Sequence, residues 1–219
     1  MDIKENTVSA DNQMMNSSEV SFLGDKNAET RILVVGNSIT RHGPLASIGW
    51  SGDWGMAASA PEKDYVHRLY AKLTESGKDV YMRIRQASYW ETNFLEEKVL
   101  SKYEEERAFQ ADIVIFRLGD NVVNAKKEDL PYFEQALEQF ISHISPTAKK
   151  VIFTTCFWDL PEVDGAIQRV AEKRKNSFVD CHCTAMEQKA IGLFKHGGVA
   201  SHPGDCGMEM IATKIFEKF

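Results

Sequence analysis

Short apolar segments alternate with longer amphipathic segments along this chain of 219 residues, and that order restricts the folds open to it. The apolar segments are rich in β-branched residues, as is typical of strands that are covered on both faces. They are RILVVG (31–36), DVYMRIR (79–85), DIVIFRL (112–118), KVIFTTCF (150–157) and SFVDCHC (177–183). Strands that alternate with helices form a parallel sheet with helices on both sides. We therefore predict a three-layer α/β/α domain around a five-stranded parallel sheet.

Five further segments predict helices, because their apolar residues recur at helical spacing. They span 59–77, 93–109, 129–145, 163–175 and 205–219. In the first of them, Ser59 and Glu62 have the spacing of a capping box, and Gly77 marks the end. We predict one domain over residues 30–219, preceded by a polar tail over residues 1–29.

Charge and hydropathy restrict the partners and the compartment. The formal net charge is -6 and the basic residues are scattered, so we expect no nucleic-acid partner. No segment is apolar and long enough to span a bilayer, so we expect no membrane partner. Residues 1–29 lack a basic start and an apolar stretch. We predict a cytoplasmic protein, or a secreted or periplasmic one if a leader was removed. The sequence does not predict the oligomeric state.

The four cysteines, Cys156, Cys181, Cys183 and Cys206, include no CxxC pair. The segment CHC places two thiols beside His182, but a fourth ligand at a spacing usual for zinc is missing. We interpret these residues as free thiols, buried where they lie in or after a strand. We predict no metal and no cofactor.

Polar residues follow the predicted strands at the edge where parallel α/β sheets bind ligands. GNSIT after the first strand contains Ser38, GDN after the third contains Asn121, and ASHPGD before the last helix contains His202. A serine hydroxyl becomes a nucleophile when a base takes its proton, and a neutral imidazole is such a base. Attack on an ester places negative charge on the carbonyl oxygen, which fixed N–H donors stabilise. The three residues can fill these roles, although each alone is also typical of a turn or a helix cap.

Together, the three motifs resemble those of the SGNH hydrolases, also called GDSL-type esterases. VVGNSIT resembles the first motif, with Ser38 as the implied nucleophile, and VASHP resembles the last, with His202 as the base. GDNV resembles the third motif, with Asn121 in the oxyanion role, although Val122 replaces an Asp of that motif. The resemblance covers residues 30–219. It implies a flavodoxin-like fold and metal-independent hydrolysis of esters, often of acetyl groups on carbohydrates.

The sequence departs from the family pattern at three further places. Asn37 stands where the family has Asp. The second motif, which supplies a glycine N–H to the oxyanion hole, is matched by ASYWET, so the resemblance assigns this donor to Trp90. Val199 stands where the family has the Asp that orients the catalytic histidine. A backbone carbonyl could orient His202 instead, Asp159 could do so, or the site could be weak or inactive.

Aromatic residues near the strand ends favour a carbohydrate ester as the substrate. The Gly-rich segment 41–60 is long for a loop without structure of its own, and such loops are often functional. Exposed indoles stack on sugar faces and close acyl pockets, and we expect the four tryptophans of the chain at one rim. The residues that we assign to substrate binding are His42, Trp50, Trp54, Trp158 and Asp159.

Two functions from different classes remain open. The first is a serine esterase that acts on a small-molecule or oligosaccharide ester, with acetyl as the expected acyl group. The second is a non-catalytic module that binds a glycan or a small ligand on the same fold, which Val199 and the missing glycine favour. A nucleotide binder is disfavoured, because the first loop lacks GxGxxG and a P-loop lysine.

Overall fold

The computed structural model describes residues 19–219 and contains one mixed sheet of six strands. The strands are β1 (Val20–Leu23), β2 (Thr30–Gly36), β3 (Val80–Gln86), β4 (Ile113–Arg117), β5 (Lys150–Thr154) and β6 (Ser177–Val179). Their order across the sheet is β1-β3-β2-β4-β5-β6. Strands β2 to β6 pair in parallel, whereas β1 pairs antiparallel with β3. The predicted α/β class is confirmed, with six strands instead of five.

The additional strand β1 lies within the segment that we assigned to the polar tail. Val20 pairs with Arg85, and the ring of Phe22 stacks on Tyr81 with 5.6 Å between the centroids. Four residues are too few for a period-2 pattern to stand out in the sequence, so the strand was missed. The other tail residues, 1–18, lie outside the part of the chain that the structure describes.

Helices cover both faces of the sheet. On one face lie α1 (Tyr65–Glu75) and α7 (Asp205–Phe216). On the other face lie α2 (Ser88–Asn93), α3 (Glu104–Ala108), α4 (Phe133–Ile144) and α5 (Pro161–Lys173). The short α6 (Gly197–Ala200) precedes α7. Single 3₁₀ turns span Ala46–Ile48, Pro61–Lys63, Val99–Tyr103, Val122–Asn124, Leu130–Tyr132 and Met186–Gln188.

Strand alternation divides the core into two layers. In β2, Ile32 and Val34 pack under α1 and α7, while Leu33 and Val35 pack on the opposite face, and all four are fully buried. This arrangement explains why the strand is a continuous apolar run, since both of its faces need apolar side chains.

Two helix predictions differ from the structure. The predicted helix 93–109 is divided between α2, the 3₁₀ turn Val99–Tyr103 and α3. Helix α1 begins after Asp64, whose side chain accepts the N–H of His67 at 2.8 Å, so Ser59 is not its cap. Ser59 instead donates its hydroxyl to Asp205, which ties the entry of α1 to that of α7.

The topology places one edge of the sheet in position to bind a ligand. Strand β2 lies between β3 and β4, so the chain leaves it on one side and returns on the other. A crevice opens at the carboxyl ends of the strands at such a reversal. Ser38 follows β2 and Asn121 follows β4, so both lie at this crevice. Within residues 19–219, no helix has the length and apolar character needed to cross a membrane.

Candidate active site

Ser38 lies in a tight turn directly after β2. Gly36 ends the strand, and a Cβ atom there would lie 1.7 Å from Thr40 Oγ1, so the turn can fold back only over glycine. The carbonyl of Asn37 accepts the N–H groups of Thr40 at 2.9 Å and of Arg41 at 3.0 Å. The turn leaves the Ser38 side chain half-buried in the wall of a cleft.

The imidazole of His202 contacts the Ser38 hydroxyl. Its Nε2 atom lies 2.8 Å from Ser38 Oγ, and its Nδ1 atom lies 2.6 Å from the carbonyl oxygen of Gly198. A carbonyl only accepts hydrogen bonds, so Nδ1 carries the proton and Nε2 presents its lone pair to the hydroxyl. Burial lowers the pKa of His202 to about 4. The ring is therefore neutral near pH 7, the form that a general base requires.

The structure shows what orients His202 in place of the carboxylate that the related motif has at position 199. Val199 is buried in a small apolar cluster that includes Trp50, so a carboxylate there would replace apolar packing contacts. Asp159 is exposed, and the Nδ1 proton of His202 is already directed to the Gly198 carbonyl. Of the alternatives open from the sequence, the structure shows the backbone carbonyl.

Asn121 lines the same cleft as Ser38 and His202. Its side-chain Nδ2 donates to Glu91 Oε2 at 2.6 Å, and its backbone N–H donates to Glu91 Oε1 at 3.3 Å. A primary amide has two N–H groups, so one remains for a partner in the cleft. The structure thus brings together the three residues that the motifs singled out.

Beneath the Ser38 turn lies a buried polar network. Arg117 donates to Asp120 at 2.5 Å and to Asn37 Oδ1 at 3.2 Å. Asn37 Nδ2 donates to Asp120 at 2.8 Å and to Glu91 at 3.1 Å. An Asp at position 37 would place a third carboxylate against these two. The network therefore explains why Asn stands where the related motif has Asp.

The two buried carboxyl groups differ in their pKa values. Burial and the nearby charge of Asp120 raise the pKa of Glu91 to about 7, while hydrogen bonds from Asn121, Gly119 and Asn37 act in the opposite direction. Burial acts to raise the pKa of Asp120, but the charge of Arg117 and the hydrogen bonds from Asn37, Arg117 and the Phe157 N–H together outweigh it and lower that pKa. Asp120 is thus a fixed anion near pH 7, and Glu91 is the more readily protonated of the two.

Sequence reasoning missed Glu91 and Arg117. Arg117 is a charged residue inside the apolar strand β4, and a buried charge requires a partner, so the strand itself signalled a buried acid. Glu91 carried no such signal, because no spacing along the chain connects it with Asn121.

The structure corrects the prediction for Trp90. Its backbone N–H donates to the Ala87 carbonyl at 3.0 Å, and its indole is fully buried, stacked on Phe140 with 4.4 Å between the centroids. This N–H is therefore occupied inside α2 and does not face the cleft. The N–H groups at the very start of a helix have no intrahelical partner, and Ser88 and Tyr89, which begin α2, line the cleft.

The predicted rim of tryptophans is also corrected. Trp50 and Trp54 pack edge to face, with 5.6 Å between the centroids, and their indole N–H groups donate to the carbonyls of His42 at 2.9 Å and Ala58 at 3.0 Å. Segment 41–60 thus uses these rings as its own core. Trp158 packs against the His202 ring in a T-shaped arrangement, with 5.2 Å between the centroids. None of these three indoles lines the cleft, nor does Asp159.

The cleft itself has a volume of about 540 Å³. His42 is the one predicted substrate-binding residue in its wall. The other polar side chains of the wall are those of Glu19, Gln86, Ser88, Thr92 and His196, and the larger apolar ones are those of Ile48, Met56, Tyr89 and Val199. The arrangement offers a nucleophile and a neutral base beside a wall of mixed polarity.

The CHC segment lies apart from this cleft. His182 Nε2 is 2.8 Å from Asp164, and its Nδ1 is 2.9 Å from Asp180. All four cysteines are free, with Cys156 and Cys181 buried. In the described part of the chain, no group of His, Cys, Asp or Glu side chains is arranged to hold a metal ion.

Comparison with known proteins agrees with this description at the level of the fold. No protein-family model and no curated protein matches the sequence. Among solved structures, the alpha/beta hydrolase LAE5 from the metagenome of Lake Arreo is 18% identical, with a TM-score of 0.60 over 87% of this chain and 94% of its own. A mutant of Axe2, an acetyl-xylooligosaccharide esterase from Geobacillus stearothermophilus, is 20% identical, with a TM-score of 0.59 over 89% and 94%.

TesA is 17% identical, with a TM-score of 0.53 over 85% of this chain and 96% of its own. The likeness to these structures confirms the α/β fold that the sequence motifs implied. At sequence identities of 17–20%, this likeness is evidence for a shared fold alone.

Proposed function

We propose that this protein is a serine esterase in which Ser38 is the nucleophile and His202 the general base. The observation that carries the proposal is the 2.8 Å contact between Ser38 Oγ and the unprotonated Nε2 of His202. Two residues that are 164 positions apart in the chain meet at the crevice where α/β folds bind ligands.

The reaction has two halves. Ser38 Oγ attacks the ester carbonyl while its proton passes to His202 Nε2, and the imidazolium then gives that proton to the leaving alcohol. Water attacks the resulting acyl-serine with His202 as the base, and the carboxylic acid departs as Ser38 regains its proton. The Gly198 carbonyl holds the Nδ1 proton throughout, so the ring keeps its tautomer.

Three donors are proposed for the oxyanion. They are the backbone N–H of Ser38, the free N–H of the Asn121 amide and the backbone N–H of Ser88. Ser88 replaces Trp90 in this role, because it begins α2 and lines the cleft, whereas the Trp90 N–H is occupied. Each such donor typically lowers the barrier by about 3–4 kcal/mol.

We propose a small acyl group on a hydroxylated, carbohydrate-like alcohol as the substrate. The support is the mixed cleft wall, whose hydroxyl, amide and imidazole groups suit an alcohol with several hydroxyls. Axe2, one of the structurally similar proteins, is an acetyl-xylooligosaccharide esterase, which agrees with this choice. Tryptophan stacking no longer supports it, because the indoles do not line the cleft.

Hydrolysis of p-nitrophenyl acetate tests the proposal, with Ser38→Ala as the variant. We expect this variant to lose at least about 10⁴-fold in kcat/KM. Ser101→Ala is the matched control, since its hydroxyl donates to the Lys98 carbonyl just before the turn Val99–Tyr103. A fluorophosphonate probe should label the wild type at Ser38 and leave Ser38→Ala unlabelled.

A non-catalytic binding module is the second candidate, favoured by the absence of a carboxylate beside His202 among residues 19–219. The same probe separates the two functions. A folded wild type that is neither labelled nor active, but binds an acetylated oligosaccharide, would establish the binding module and overturn the esterase.

A further inference from the structure

Glu91 is a buried carboxyl group to which the proposed reaction assigns no part. It is 0% exposed and lies in α2, yet it does not form an ion pair with Arg117, the buried cation nearby. Its partners are four N–H groups. They are the backbone N–H of Gly119 at 2.6 Å, one N–H of the Asn37 amide at 3.1 Å, and the backbone N–H and one side-chain N–H of Asn121. Burying a carboxyl group is costly, so four such contacts on one side chain require an explanation.

The contacts converge on the loop that carries Asn121. Glu91 Oε1 holds the backbone N–H groups of Gly119 and Asn121, and Oε2 holds the Asn121 side chain at 2.6 Å. One carboxyl group therefore fixes both the backbone and the amide plane of the same residue. The amide plane in turn fixes the direction of the second N–H, the one proposed for the oxyanion.

A carboxylate suits this position better than an amide does. All of the partners donate, and a carboxylate has only acceptor oxygens. A Gln side chain would present an NH₂ group to one of these donors. The Asn121 amide could then rotate and turn its carbonyl oxygen toward Gln, which would change the direction of its second N–H group.

From this geometry we infer that Glu91 is a positioning residue, whose carboxylate holds the Asn121 amide so that its second N–H stays in the cleft beside Ser38. The inference rests on the proposed function, because it gives the Asn121 donor a task. It also accounts for the Val at position 122, since an acid from α2 supports the loop where the related motif has its own Asp.

A double-mutant cycle on p-nitrophenyl acetate tests the inference, with Glu91→Gln, Asn121→Ala and the double variant. Losing one oxyanion donor typically lowers kcat by about 10²–10³-fold. We expect each single variant to lose kcat in this range with KM changed by less than about threefold. The double variant should lose no more than Asn121→Ala alone, because Glu91 acts through that amide.

Glu106→Gln is the matched control for removing a buried carboxylate. Glu106 is 1% exposed and binds Arg83 at 2.9 Å, and it does not line the cleft. We expect it to lower the melting temperature and to leave kcat unchanged. Should Glu91→Gln fail to fold, Glu91→Asp enters the same cycle, because the shorter carboxylate keeps the charge and cannot span the same distance to Asn121.

The outcomes separate this inference from the proposed function. If the wild type is active and labelled at Ser38 while Glu91→Gln keeps full kcat, or the losses of the two variants multiply in the double variant, Glu91 does not act through Asn121 and the esterase stands. If the wild type is neither active nor labelled, the esterase itself fails and the inference fails with it.

Discussion

The base and the oxyanion donor of the proposed site are supported in different ways. His202 contacts one backbone carbonyl through its Nδ1 atom and the Trp158 indole through a T-shaped ring contact. Asn121 rests on Glu91, which is linked through Asn37 to the buried pair of Arg117 and Asp120. The groups that hold the base are thus uncharged, whereas the donor is held by a buried carboxyl group that is linked to a buried ion pair. The base should therefore depend on packing, and the donor on the ionisation of a neighbour.

Removal of the imidazole is expected to have the largest effect. His202→Ala should lower kcat/KM for p-nitrophenyl acetate by about 10⁴-fold or more, because no other group contacts Ser38 Oγ as a base in the described residues. His143→Ala is the matched control, since this histidine lies in α4 beside Glu104. A similar loss in both variants would mean that the fall in activity reflects damage to the fold.

A carboxylate at position 199, where the related motif has Asp, tests whether the Gly198 carbonyl is sufficient to orient His202. Val199→Asp should lower the free energy of unfolding by about 3 kcal/mol, because position 199 is 1% exposed and packed against Trp50. Urea unfolding measures the loss, with Val199→Ala as the control for the missing methyl groups. Unchanged stability together with a raised kcat would show that this position serves the imidazole and that the carbonyl is a substitute.

The same contrast separates what the sequence predicted from what it did not. Apolar strands and the polar residues that end them follow from local patterns, so the sheet, Ser38, Asn121 and His202 were predictable. The Trp90 assignment failed because a motif alignment does not tell which N–H of a helical turn is already bonded. The prediction that the tryptophans of segment 41–60 bind substrate was wrong for a related reason, since an indole can pack in the core of a loop as well as on a ligand surface.

Glu91 shows the deeper limit. Its role depends on contacts with residues 28 to 54 positions away, and none of them has a periodic signature. Arg117 is different, because a charge within an apolar strand is visible in the sequence and demands a partner. Asn37 stood out only as a departure from a motif. The structure explains this departure, because the Asn37 amide donates to the two carboxyl groups of Glu91 and Asp120.

The pH dependence of kcat/KM should distinguish the base, His202, from the support of the oxyanion donor, Glu91. Burial lowers the pKa of His202 to about 4, so the base alone gives activity that rises near pH 4 and is then flat. Burial and Asp120 raise the pKa of Glu91 to about 7, and its carboxylate is the form that accepts every donor around it. A second rise is therefore expected near pH 7 as Glu91 loses its proton.

Glu91→Gln should lack this second rise and keep the one that belongs to His202. The nearby charges of Arg117 and Asp120 do not titrate in this range, because the pKa of Asp120 is lowered and that of Arg117 is raised. A wild-type profile that is flat across neutral pH would mean that the Glu91 proton does not control the donor.

The smallest expected effect concerns the aromatic support of the base. The Trp158 ring meets the His202 ring at 84°, an edge-to-face contact of the kind that contributes about 0.5–1.5 kcal/mol. Trp158→Phe keeps an aromatic ring but a smaller one, so kcat should fall by about two- to threefold and KM should stay constant. Trp54→Phe is the control, because that indole packs within segment 41–60 and away from the cleft wall. A loss for Trp158→Phe as large as that expected for Glu91→Gln would mean that packing governs the donor as well as the base, and the contrast between the two supports would then be wrong.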